Sequence, residues 1–143
     1  MTEEAPQLEF VAALHVTLAQ AIAVGETGHG IREVIPITGG TVSGPLLSGR
    51  VLPGGEDWAL GLPDGAYHIS ARYVLALDDG TPVTVDNRGF VTETKDGGYA
   101  GRTTPRFEVP DDPHAWLRRA IFVGTLKADP NGAFVDLQFF RAT

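Results

Sequence analysis

Glycine and proline interrupt this chain about every five residues: there are 18 Gly and 10 Pro in 143 positions. Proline removes a backbone donor and fixes φ, while glycine weakens a helix interior. No amphipathic run therefore lasts long enough to make a long helix. Short runs with a period of two remain between the breaks, and such runs predict a sandwich or a barrel.

Residues 8–17 alternate, with Leu8, Phe10, Ala12, Leu14 and Val16 on one face and Val11, Ala13 and His15 on the other. A glycine-rich connection with Gly25, Gly28 and Gly30 follows. Residues 31–38 read as a strand, with Ile31, Ile35 and Ile37 on one face and Arg32 and Val34 on the other; Pro36 suggests an edge or a bulge. Gly39-Gly40 reads as a turn, after which residues 41–47 and 50–52 continue as strand. Pro53-Gly54-Gly55 and Pro63-Asp64-Gly65 are sharp turns.

Residues 66–77 form the longest strand candidate. Tyr67, Ile69, Ala71, Tyr73, Leu75 and Leu77 share one face, and His68, Ser70 and Arg72 share the other. Asp79-Gly80 is a hairpin signal that returns residues 81–90 antiparallel. Residues 102–109 are a strand containing Pro105. Asp112-Pro113 starts a helix of at most two turns, with Asp112 as N-cap. Residues 120–127 and 133–141, joined by Asp129-Pro130-Asn131-Gly132, complete the set. The expectation is all-β: one domain over 1–143, a single closed antiparallel β-barrel of about eight strands, with one short helix near 113–119. An eight-stranded barrel has an interior that can hold one small ligand.

Composition narrows the function. A formal net charge of −7 repels phosphate backbones, so nucleic acid is an unsuitable partner. No window approaches the ~20 apolar residues of a membrane helix. The first seven residues carry Glu3 and Glu4 without a basic cluster, unlike a signal peptide. The absence of cysteine removes disulfides, thiolate metal sites and a cysteine nucleophile, and makes a cytoplasmic location the default. There is no Gly-x-Ser-x-Gly elbow, no Walker loop and no His-Glu-x-x-His pattern. His15 and His68 lie in strand candidates, outside any tight metal motif, so neither a metal nor a cofactor is expected.

Several segments, in order, resemble one family. They are Gly30-Ile31-Arg32 with Ile35-Pro36-Ile37-Thr38-Gly39-Gly40; Gly44-Pro45 with Gly49; Pro53-Gly54-Gly55-Glu56-Asp57-Trp58; Ala71-Arg72-Tyr73 before Asp79-Gly80; Asn87-Arg88-Gly89; and Arg102-Thr103-Thr104-Pro105-Arg106-Phe107-Glu108 before Trp116-Leu117 and Phe122-Val123-Gly124. No one piece is specific, but the ordered set resembles DUF3237, also called UPF0311. The resemblance implies a calycin-like, lipocalin-like barrel that is often a homo-oligomer. It implies no reaction, because fold does not determine chemistry.

Asp57 beside Trp58, after a rigid turn, is the leading constellation. Burial of an aspartate against an aromatic ring raises its pKa toward general acid or base use; the alternative is that Asp57 caps the turn and Trp58 plugs the barrel end. Arg72 interrupts the longest strand and is read as a catalytic group that stabilises negative charge developing on oxygen; an internal salt bridge or a solvent-facing position is the alternative. Asn87 shares a strand face with Val83 and Val85 and can offer an amide to a carbonyl. Arg32, Arg102, Trp58, Tyr73, Phe107 and Trp116 complete the expected ligand contacts.

Three functions remain open. The first is a cofactor-independent isomerase, cyclase, hydratase or lyase working by proton transfer in the lumen. The second is a carrier or sensor of a small hydrophobic or anionic ligand, and the third is a structural oligomeric module. Convergent polar groups in the lumen favour catalysis; a purely aliphatic and aromatic lining favours a carrier.

Overall fold

In a computed structural model, which describes residues 4–143, ten strands roll into one closed antiparallel barrel. Glu4 is exposed, and Glu3 lies outside the described residues. The strands are β1 (Leu8–Leu18), β2 (Ile22–Glu26), β3 (Ile31–Ser43), β4 (Gly49–Val51), β5 (Glu56–Gly61), β6 (Tyr67–Leu77), β7 (Pro82–Glu93), β8 (Tyr99–Glu108), β9 (Phe122–Ala128) and β10 (Phe134–Ala142). β6 to β10 form a meander in which each strand pairs with the next. β10 pairs with β1, and β1 pairs with β3. β3 returns to β6 through β4 and β5, two short strands laid end to end. The ring has eight staves because β4 and β5 share one and β1 and β2 share another. β2 pairs only with β3 among the described residues, along the same edge that β1 uses.

Alternation places the core. Ile69, Ala71, Tyr73, Leu75 and Leu77 of β6 are buried, while Arg72 and Val74 are exposed. In β1 the sequence pattern is interrupted by a register shift between Phe10 and Ala12. Val11 and Ala12 are both buried in consequence, and Leu8 and Phe10 are exposed. An inserted residue moves every side chain before it to the opposite face.

Three local expectations change. The segment read as a glycine-rich connection contains β2, and the Pro53 turn leads into β5. Gly39 and Gly40 do not form a turn; β3 runs through them. Gly40 has φ +148, and a Cβ there would lie 2.0 Å from the His15 carbonyl oxygen. Glycine lets β3 approach β1 this closely, just past the point where it exchanges β2 for β1 and β5 for β4.

The helix near 113–119 is a single 3₁₀ turn, Ala115–Arg118, without a side-chain cap. It lies in the β8–β9 connection and closes one end of the barrel with buried Leu117. Phe107 packs edge-on against Phe122 (4.8 Å) and Phe139 (5.8 Å) at that end. His114 Nε2 lies 2.7 Å from the Asp79 carboxylate, tying the turn to the β6–β7 hairpin. Among the described residues no helix is long and apolar enough to cross a membrane.

Candidate functional site

The opposite end of the barrel opens into a cavity of about 440 Å³. Residues 19–21 and 129–132, in the β1–β2 and β9–β10 connections, contribute to its lining. Tyr67 and Tyr99, packed edge-on at 5.2 Å, line it as well. Ile35, Ile37, Ile69, Val91, Leu126 and Leu137 supply much of the apolar wall.

Register places the polar groups in this wall. Ile35 stands opposite Asp57, Asp57 opposite Ala71, and Ala71 opposite Asn87. Side chains directly opposite one another share a face of the sheet, so this row faces the lumen from four neighbouring strands. Tyr73 lies two residues beyond Ala71 on the same face of β6. Asp57, Tyr73 and Asn87 all line the cavity.

Burial pushes the Asp57 carboxyl up to about 6. The Ser70 backbone N–H, donating to Asp57 Oδ1 at 3.0 Å, and the Arg32 charge pull it down; the Glu33 charge pushes it further up. Tyr73 is buried, and its hydroxyl has no hydrogen-bond partner among the described residues. Burial and the Asp57 charge keep that phenol protonated well above its ordinary range. Asn87 is 1% exposed, and its Oδ1 also lacks a partner. Polar atoms buried without partners are uncommon and costly, and two of them border this cavity.

Arg72 has the opposite parity. It pairs with Glu56 and Asp86, and Asp86 with Arg106, in a row of alternating charge on the outer wall. Asp57 faces inward, so its neighbour Glu56 and Glu56's partner Arg72 face outward. Trp58 is 49% exposed for the same reason. Arg32 stacks over the Trp58 ring at 6.0 Å and donates to the Trp58 carbonyl oxygen at 3.0 Å. Arg102 is exposed and bonds to the Gly101 carbonyl oxygen. Phe107 is inside, but in the aromatic plug at the closed end. Trp116 also packs there, with the Arg141 guanidinium 4.8 Å from its ring centroid. The aromatic ring beside Asp57 is accordingly Tyr73.

Among the described residues no group of three or more His, Asp or Glu side chains is arranged to hold a metal. His15 pairs with Asp136 at 2.6 Å, and His68 packs against Phe90 at 5.1 Å.

The family described as protein of unknown function DUF3237 matches residues 6–142. The chain belongs to the DUF3237 family. A UPF0311 protein of Clostridium acetobutylicum is 36% identical, covering 93% of this chain and 92% of that protein. The crystal structure of a protein of unknown function from the same species superposes with TM-score 0.91 at 32% identity, covering 99% of this chain and 100% of that chain. A hydroalkoxylation enzyme of Penicillium herquei is 26% identical, covering 84% of this chain and 74% of that protein.

This DUF3237 barrel also carries a carboxylate that sequence reasoning missed. Glu33 lines the cavity and is half-buried. Its parity with Ile35 and Ile37 was the available signal. It stands opposite Ala59, one step along the wall from the Ile35–Asp57 pair and diagonal to Asp57.

Proposed function

We propose that the barrel is an acid–base catalyst for an isomerisation, cyclisation or addition reaction on a small, mostly apolar molecule, with Asp57 as the proton-transfer residue. The observation that carries this reading is the Asp57 carboxyl, pushed up to about 6 inside an otherwise largely apolar cavity. A proton donor or acceptor works best with a pKa close to the operating pH. Asn87 and Tyr73 hold their unpartnered polar atoms ready to orient an oxygen of the ligand.

The hydroalkoxylation named for the Penicillium herquei relative supports an addition of this type. The balance is simple. Protonated Asp57 gives its proton to one carbon of a C=C bond. The ligand's own hydroxyl oxygen bonds to the other carbon. The hydroxyl proton then returns to the Asp57 carboxylate, and the product is an isomer of the substrate. Arg72 takes no part, being on the outer wall.

Incubation with alkenyl phenols of increasing chain length tests this reading, with the cyclic ether separated from its isomer by chromatography. The wild type should form the ether, and Asp57→Asn should be slower by about 10²-fold or more. Equal rates would end the assignment. The aliphatic majority of the lining favours a second reading, a carrier, for which tight binding without turnover is the expected result.

A further inference from the structure

Arginine is the chain's main cation, used nine times against two lysines, yet among the described residues no Arg, Lys or His side chain lines the cavity. Arg32 is held on the outer wall by Trp58, Arg88 by Asp86, Arg118 by Asp111 and Arg141 by Glu9. Arg72, Arg102 and Arg106 are exposed. The ionisable side chains bordering the lumen are instead Glu33, Asp57 and Asp129, with the phenols of Tyr67, Tyr73 and Tyr99. Asp129 is occupied as the acceptor for the Ala133 N–H in its own turn. Glu33 and Asp57 make no ion pair among the described residues.

A ligand in this space meets the phenols of Tyr67, Tyr73 and Tyr99 and, as its charged neighbours, two carboxylates. A donor satisfies the carboxylates. A carboxylate or phosphate meets like charge in a wall of low polarity that no cation lines among the described residues. We propose that the cavity selects an uncharged, hydrogen-bond-donating apolar molecule of the phenol or alcohol class, and that Glu33 is the specificity residue that turns away its anionic analogue. This deepens the acid–base reading and rests on it in taking the lumen as the ligand site. It narrows the sequence expectation of a small hydrophobic or anionic ligand to the uncharged class. Two further observations agree with Glu33 acting on this space: its charge raises the Tyr67 phenol, after burial, and adds to the upward push on Asp57.

The test is binding without turnover. The probes are 1-naphthol and 1-naphthoate, matched in ring size and different in charge near pH 8. Calorimetry on the wild-type protein should show naphthol binding at least about tenfold more tightly than naphthoate, and Glu33→Gln should narrow the ratio to about threefold or less. Equal affinities in the wild type would overturn the proposal. So would naphthol failing to bind at about millimolar concentration, or a ratio unchanged in Glu33→Gln. A barrel that prefers naphthol but turns over no alkenyl phenol would keep this inference and remove the catalytic one.

Discussion

Asp57 and Asn87 face the same cavity from strands separated only by β6, and the one side chain between them in their row is the methyl of Ala71. Two strand spacings set their backbones about 10 Å apart. A larger residue at Ala71 would fill the space between the carboxylate and the amide. Ala71→Leu should therefore reduce 1-naphthol affinity by about tenfold or more. The added methyl groups enter existing space, so stability should change by less than about 1.5 kcal/mol. Calorimetry with denaturant unfolding checks both parts.

Asp57 should oppose folding at neutral pH. Its folded pKa lies above the ordinary aspartate value of 3.8, at about 6. Between those values the folded state holds a proton that the unfolded state has released, so stability falls as pH rises from about 4 to 6. The loss is at most about 3 kcal/mol, less whatever water reaches the half-buried group. Asp57→Asn should melt at a higher temperature than the wild type at pH 7 and nearly the same at pH 4. Thermal melts across that window would reject the assignment if the two curves ran parallel.

The Tyr73 hydroxyl is buried without a partner among the described residues. Removing such a group relieves its desolvation cost. Tyr73→Phe should hold or gain up to about 1 kcal/mol in stability while turnover of an alkenyl phenol falls about tenfold. A fall in stability with unchanged turnover would show a structural role alone.

Arg72 belongs to the outer charged row with Glu56, Asp86 and Arg106. Cross-strand pairs of this kind contribute roughly 0.2–1 kcal/mol and weaken in salt. Arg72→Ala should cost no more than that, with the cost shrinking at high salt, and naphthol affinity should be unchanged. A large loss of affinity would place Arg72 in the binding machinery after all.

The residues of β6 show how far sequence reasoning reaches. Their period of two separates the buried face from the exposed one without any structure. The same rule put Asn87 inward with Val83 and Val85, as the fold has it. It failed for the first residues of β1, where a bulge shifts the register, and for Gly39-Gly40, where glycine allows a bend within a strand. Neither event changes the local pattern enough to be seen in one sequence.

By itself the sequence determined that this chain is all-β and, in strands without a bulge, which residues share a face, because turn chemistry and side-chain alternation act locally. Only the tertiary structure decided which of two faces became the lumen in β5, and so sent Asp57 inward while Trp58 and Arg72 went outward. That choice depends on pairing between strands far apart in the chain, which sets the environment of Asp57 and brings Glu33 alongside it.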